Sequence, residues 1–173
     1  MTSEEWNWHL LIVDDEEMIL DLVSRQLKGE GYKILTAGNG EDALQLFNTH
    51  SVAVVVSDQS MPGMDGITFL SKVRQLDEDV VLIMLTGHAT LGDAMEAINR
   101  LRVFSYITKP LSGIRMRSTI RDAFRHYEMT SLYRVTMKRT YQLNEQLRKE
   151  NTRLAQKIKE LETKLEESGI STR

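Results

Sequence analysis

Polar residues follow four short apolar runs in this chain, and their spacing limits the possible folds more than any other feature. The runs are 10–13, 52–56, 80–85 and 103–107. The polar residues that follow them are Asp14, Asp15, Asp58, Thr86 and Lys109. Short apolar runs that alternate with helical patterns predict a parallel sheet covered on both faces. Because the carboxyl ends of parallel strands share one edge, these polar residues are predicted to meet there.

The order of predicted elements indicates the fold class. Strands are predicted at 8–13, 32–36, 52–57, 80–85 and 103–107. Helices are predicted over 15–28, from Asn39-Gly40, from Asp65-Gly66 and over 89–101. The first of these helices is expected to stop at Gly29 and Gly31. This alternation predicts a doubly wound α/β fold with five parallel strands and right-handed crossovers.

The pattern changes after Pro110. Residues 114–168 contain neither glycine nor proline, so one long helix is predicted. Its first part, to about residue 124, can pack on the sheet, whereas the rest needs another partner. We therefore expect a globular domain at 1–125 and an extended helical segment at 126–173.

A heptad pattern occupies the later part of this helix. The a positions are Asn144, Asn151, Ile158 and Leu165, and the d positions are Leu147, Leu154 and Leu161. Asparagine at a fixes register and stoichiometry, which favours a parallel two-stranded coiled coil over a trimer. Lys157 at g is placed to reach Glu162 at e of a partner helix. Upstream, Leu143 lies four residues before Leu147, which shifts the heptad register in the manner of a stutter. The alternative is a helix that folds back on the globular part, although no glycine or proline is available to reverse it.

Charge and composition narrow the class of protein. The net charge is -3; residues 1–125 carry 12 basic and 18 acidic side chains (-6), and residues 126–173 carry 10 and 7 (+3). An acidic globular part argues against nucleic-acid binding, and a mixed-sign helix is typical of a solvated face. Cysteine is absent, no apolar run is long enough to span a bilayer, and residues 1–6 are too acidic for a signal peptide. A cytoplasmic protein without membrane contact is expected.

The polar residues at the predicted sheet edge suit phosphoryl transfer. The Asp58 carboxylate can be a nucleophile that forms an aspartyl-phosphate. Because donor and acceptor are both anionic, a cation is needed, and Mg2+ prefers carboxylate and phosphate oxygens such as those Asp14 and Asp15 would supply. Lys109 can pair with Asp58 at rest and with the phosphoryl group later, and Thr86 can donate a hydrogen bond to it. Taken alone, the Asp14-Asp15 pair would be read as a helix N-cap.

Four motifs carry a family resemblance. They are Val13-Asp14-Asp15-Glu16, Asp58 with Met61-Pro62-Gly63-Met64-Asp65-Gly66, Leu85-Thr86-Gly87, and Tyr106-Ile107-Thr108-Lys109-Pro110. In this order and at these distances they resemble the CheY-like receiver domain of two-component response regulators, over about residues 8–125. The resemblance implies a flavodoxin-like sheet with strand order 2-1-3-4-5.

The resemblance also implies the metal and the phosphoacceptor. Asp58 would accept the phosphoryl group from a histidine kinase or phosphotransfer protein. Mg2+ would be held by Asp14, Asp15, Asp58 and the backbone carbonyl of Ser60.

The same resemblance assigns the residues that sense the phosphate. Thr86 and Lys109 would contact the phosphoryl group, and Tyr106 would turn inward when Thr86 moves. Tyr106 as an ordinary strand residue is the alternative. The Lys109–Pro110 bond would be cis, and Gln59, Ser60 and His88 would tune the rate of dephosphorylation.

These implications lead to one main hypothesis and two alternatives. The main one is a signalling receiver that catalyses only its own phosphotransfer and autodephosphorylation, forms a homodimer through its C-terminal helix, and relays the change to an output module outside this chain. A short regulator whose coiled coil is its own output remains open. The alternatives are a phosphohydrolase, for which Gln59 and Ser60 leave the second acid missing, and a structural dimeriser with a vestigial pocket.

Overall fold

A computed structural model describes residues 8–87 and 101–167. In these ranges five parallel strands form one sheet: β1 His9–Val13, β2 Lys33–Ala37, β3 Val52–Asp58, β4 Val81–Thr86 and β5 Ser105–Thr108. Their order is β2-β1-β3-β4-β5, which confirms the predicted flavodoxin-like arrangement. Most strand bounds differ from the predicted ones by one residue, and β5 begins two residues later than predicted. The helix predicted over 89–101 lies outside the described residues except for its last position.

Four helices are described, and side chains cap the starts of the second and third of them. They are α1 Glu17–Gln26, α2 Gly40–Thr49, α3 Gly66–Leu76 and the long α4 Gly113–Glu167. Asn39 Oδ1 accepts a hydrogen bond from Asp42 N at 2.8 Å, and Asp65 Oδ1 accepts one from Thr68 N at 2.7 Å. These side chains satisfy backbone N–H groups that have no partner inside the helix. The predicted starts of α2 and α3 are therefore confirmed.

Helix α1 is shorter than the predicted span of 15–28. The backbone of Glu16 is extended, so the helix begins only at Glu17. The helix ends at Gln26. Beyond it, Gly29 and Gly31 have φ angles of 91° and 86°, which are in the left-handed region. Glycine adopts such angles without a Cβ penalty, which explains the predicted stop.

The central strands are buried on both faces, as a sheet covered by helices on each side requires. On one face α2 and α3 cover a core to which they contribute Ala43, Phe69, Leu70 and Val73. On the other face α1 and the first part of α4 contribute Val23, Leu27, Met116, Ile120 and Ala123. Alternating residues of β1 from Leu10 to Val13 point into the two cores, and β3 contributes apolar residues to both, which explains the apolar runs in these strands.

The chain divides into two compact units, one up to Thr130 and one from Ser131. The first contains the sheet and both cores. In the second, the large apolar side chains of the heptad are 45–56% exposed: Leu147, Leu154, Ile158, Leu161 and Leu165. The predicted domain boundary at residue 125 stays a prediction. Over the described ranges, no helix has an apolar stretch sufficient to cross a bilayer.

Candidate functional site

Four of the five polar residues predicted to meet lie together at the carboxyl edge of the sheet, and the side chain of the fifth, Asp15, is exposed. Asp14 follows β1, Asp58 and Thr86 end β3 and β4, and Lys109 follows β5. The N–H of Lys109 donates to the carbonyl of Thr86 at 2.9 Å, which ties the two strand ends together. Asp14, Asp58 and Thr86 are 0%, 5% and 2% exposed. Their burial follows from their positions at the ends of central strands.

Lys109 is the centre of this cluster. Its Nζ lies 2.9 Å from Asp14 Oδ2, 2.9 Å from Asp58 Oδ1 and 3.2 Å from Glu16 Oε1. Burial by itself would lower the pKa of the Lys109 ammonium, but its contacts with Asp14 and Asp58 outweigh that effect and raise the pKa above its ordinary value. Lys109 is therefore a permanent cation between two buried carboxylates.

The two buried carboxylates are fixed by backbone donors. Asp14 Oδ1 accepts from Glu16 N at 3.0 Å, and Asp58 Oδ2 accepts from Ser60 N at 2.8 Å. Burial raises the pKa of Asp14, and the Lys109 ammonium offsets part of that rise. Among the described residues, Asp14 Oδ2 accepts no well-directed hydrogen bond, so its contact with Lys109 is an ion pair.

This donor set fits a hard divalent cation such as Mg2+. Mg2+ binds through one or two carboxylates plus phosphate and water oxygens, and the buried Asp14 Oδ2 is a carboxylate oxygen without a hydrogen bond. No ready-made cluster of three metal-ligating side chains exists in the described part of the chain. The Lys109 ammonium lies within 2.9 Å of both Asp14 and Asp58, and the Asp15 side chain is exposed.

An open cleft of about 270 Å³ lies over the site. Glu16, Asp58, Gln59, Ser60, Thr86, Gly87 and Lys109 line it. Glu16 is a cleft residue to which the sequence analysis gave no role, although it belongs to the Val13–Glu16 motif. Gln59 and Ser60, to which the resemblance assigned an effect on the rate of dephosphorylation, also line the cleft, whereas His88 lies outside the described residues.

Tyr106 lies on β5 beside Met84 of β4. It is partly buried and packs against the α2–α3 face of the core, and this burial raises the pKa of its phenol. The neighbouring Lys109–Pro110 peptide bond is cis, as the resemblance implied. The ring and Thr86 thus belong to adjacent strands, and the predicted coupling between them stays a prediction.

Comparison with known proteins decides the family. The model of the response regulator receiver domain matches residues 10–121. The chain belongs to this family. It is the receiver domain of a two-component response regulator, a signalling domain.

The receiver resembles regulators and receivers from several organisms. It is 36% identical over 115 residues to the transcriptional regulatory protein GlrR of Escherichia coli (strain K12), covering 66% of this chain and 26% of that protein. It is 35% identical to the probable transcriptional regulator ycf27 of Cyanidium caldarium over 122 residues, 69% of this chain and 47% of that protein. The chain thus spans about a quarter to a half of these regulators.

Solved structures resemble it over the same region. The signal receiver domain of an HD domain-containing protein from Pseudomonas fluorescens Pf-5 superposes with a TM-score of 0.68 at 30% identity, covering 71% of this chain and 98% of that one. A CheY-like receiver domain protein from Methanospirillum hungatei JF-1 gives a TM-score of 0.67 at 28% identity, with 71% and 98% covered. Both likenesses concern the receiver part of the chain.

The raised pKa of Asp14 predicts how the stability of the metal-free receiver depends on pH. When the pKa of a carboxyl is higher in the folded protein than in the unfolded chain, protonation favours the folded state. This contribution to stability is fully present below the pKa of the unfolded chain and is lost as the pH rises through the pKa of the folded protein. On raising the pH from about 4 to about 7, the wild type should therefore lose stability relative to Asp14→Asn, which cannot titrate. Urea denaturation of both proteins with a chelator present measures this difference, and a difference that stays constant with pH would contradict it.

Proposed function

We propose that this receiver accepts a phosphoryl group on Asp58 from a histidine kinase or phosphotransfer protein in a Mg2+-dependent reaction. The observation that carries the proposal is the contact of Lys109 Nζ with the nearly buried Asp58 carboxylate, 2.9 Å away, under an open cleft. The Asp58 carboxylate is nearly buried but lines the cleft, so an anionic phosphodonor in the cleft can reach it. The Lys109 ammonium reduces the repulsion between the two anions. We place this reaction in the cytoplasm, with no direct contact of the chain with nucleic acid or membrane.

In the proposed step a carboxylate oxygen of Asp58 forms a bond to phosphorus while the bond from phosphorus to the donor nitrogen breaks. The Ser60 N–H and the Lys109 ammonium hold the Asp58 carboxylate in place for this attack. Asp14, Asp15, Asp58 and the carbonyl of Ser60 would hold Mg2+, which neutralises the charge of donor and acceptor when bound. Hydrolysis of the aspartyl-phosphate by water completes the cycle.

The signal is proposed to leave the site through Thr86 and Tyr106. Thr86 is buried beside the cleft, so its hydroxyl can reach a phosphoryl oxygen only by a small movement. Tyr106 is partly buried on the neighbouring strand and can take up space that Thr86 leaves. Two packed arrangements that a bound phosphoryl group biases differently form a switch.

Intact-mass measurement tests the transfer. Incubation with a small phosphodonor and Mg2+ should add one phosphoryl group, and hydroxylamine should remove it, because acyl phosphates react with this nucleophile. Omission of Mg2+ is the control and should prevent labelling. A chain that stays unlabelled under these conditions, or a label that resists hydroxylamine, would contradict the proposal.

The long helix is proposed to form a parallel dimeric coiled coil that relays the change to an output module outside this chain. The a and d side chains are exposed in the single chain, including Leu154, Ile158 and Leu161, and a second copy would bury them. The similarity to longer transcriptional regulators is consistent with a receiver that controls a separate module.

A charge placed in the heptad seam should weaken the dimer. Ile158→Lys puts an ammonium at an a position, where burial is costly, and should weaken association by at least about tenfold. Glu160→Lys introduces the same side chain at a c position and is the matched control. Light scattering of both variants and the wild type measures the mass. A wild-type monomer, or an Ile158→Lys variant that associates as tightly as the wild type, would contradict a seam at these positions.

The same light-scattering measurement distinguishes two modes of signalling. With Mg2+ and beryllofluoride, a phosphoryl mimic, a protein that is dimeric in both states must signal by a change within the coil. A protein that changes from monomer to dimer uses assembly itself as the signal.

A further inference from the structure

Glu16 occupies a helix N-cap but does not cap the helix. N-caps are usually serine, threonine, aspartate or asparagine, whose short side chains accept a backbone hydrogen bond. The Glu16 side chain makes no such bond to α1. Its Oε1 instead lies 3.2 Å from Lys109 Nζ, across 93 positions of sequence.

The surroundings of Lys109 show why this contact matters. An ammonium has three N–H donors, and three carboxylate oxygens, from Asp14, Asp58 and Glu16, lie within 3.2 Å of Nζ. A phosphoryl oxygen on Asp58 must therefore compete with these carboxylates for the Lys109 ammonium.

The three partners differ in their freedom to withdraw. Asp14 and Asp58 have side chains only 0% and 7% exposed, and each accepts a hydrogen bond from a backbone N–H. The Glu16 side chain is 63% exposed, at the rim of the cleft. Glu16 is therefore the partner that can leave at the lowest cost.

We propose that Glu16 is a positioning residue that holds Lys109 in the resting state, competes with the phosphoryl group for its ammonium, and so slows loading of Asp58. This inference rests on the proposed phosphoryl transfer. It makes Glu16 a determinant of how readily small anionic donors label the receiver. The same competition opposes any anionic phosphoryl mimic bound at Asp58.

The test compares Glu16→Gln with Glu17→Gln at saturating Mg2+. Both variants remove one exposed negative charge near the start of α1, but only the first removes the contact with Lys109. Because an exposed ion pair contributes up to about 1 kcal/mol, Glu16→Gln should be labelled by acetyl phosphate about fivefold faster than the wild type. Glu17→Gln should stay within about twofold of the wild type.

Two further readouts separate competition from a merely structural effect. Titration calorimetry with beryllofluoride should show about fivefold tighter binding to Glu16→Gln, because the mimic needs the same ammonium. Added salt should bring the wild-type labelling rate toward that of Glu16→Gln, since it screens the exposed carboxylate.

The outcomes separate this inference from the function on which it rests. If the wild type is labelled but Glu16→Gln behaves like it, or if Glu17→Gln matches Glu16→Gln, the competition is wrong and the phosphotransfer stands. If the wild type is not labelled at all, the proposed function fails and the inference fails with it.

Discussion

Replacing Asp58 by alanine should abolish phosphoryl labelling of the receiver, with a loss of at least about a thousandfold in rate. Asp58 is the carboxylate at the end of β3 that contacts Lys109 under the open cleft. Among the described residues that line the cleft, Asp58 is the only buried carboxylate, because Asp14 does not line it and the Glu16 side chain is 63% exposed at its rim. Intact-mass measurement after incubation with acetyl phosphate and Mg2+ provides the readout.

Asp21→Ala is the matched control for this experiment. Asp21 is an exposed carboxylate on α1 that pairs with Arg25 and lies outside the cleft. Its removal should leave labelling unchanged. Circular dichroism should show that Asp58→Ala stays folded, since Lys109 keeps Asp14 and Glu16 as partners. A folded Asp58→Ala protein that still acquires a hydroxylamine-sensitive label would show that another residue is the acceptor.

The convergence of Asp14, Asp58, Thr86 and Lys109 could be predicted from the residues themselves, whereas the order of the strands was implied only by the family resemblance. The reason is local: each of these residues follows a short apolar run, and such runs, when they alternate with helical patterns, are typical of strands buried on both faces. Parallel pairing then places their carboxyl ends together without knowledge of any contact.

The role of Glu16 could not be predicted in the same way. Its contact with Lys109 depends on the extended backbone at residue 16, which delays the start of α1 and leaves the side chain free of a capping bond. A glutamate beside two aspartates looks like one more acid in the first helical turn. Only the three-dimensional position of Lys109 distinguishes it from Glu17.

The coiled coil proposed for the long helix differs from the site in what decides it. The heptad from Asn144 to Leu165 predicts a seam, and the helix that carries it is continuous to Glu167. A seam nevertheless exists only between two chains, so its partner and register are decided by association. The partner and the register depend on the free energy of association of two chains, which the structure of one chain does not determine.

Substituting Gly66 by alanine should destabilise the receiver by about 3 kcal/mol or more. A Cβ at this position would collide with the carbonyl oxygen of Asp58 and would lie 3.0 Å from Cα of Gln59. These are backbone atoms and cannot rotate away as a side chain could. The Gly66 N–H also donates to the carbonyl of Gln59 at 3.0 Å, so the start of α3 and the end of β3 would have to separate.

Gly38→Ala is the matched control, because a Cβ there meets nothing within 4 Å and its backbone has no positive φ. It should leave the protein as stable as the wild type or up to about 1 kcal/mol more stable, since alanine restricts the unfolded chain. Urea midpoints of the three proteins measure the difference. If Gly66→Ala unfolds at the wild-type midpoint, the loop after β3 adapts freely and does not fix the position of Asp58. If its midpoint falls as expected, labelling at Asp58 should fall with it under conditions where the variant remains folded, because the same collision displaces the nucleophile from Lys109.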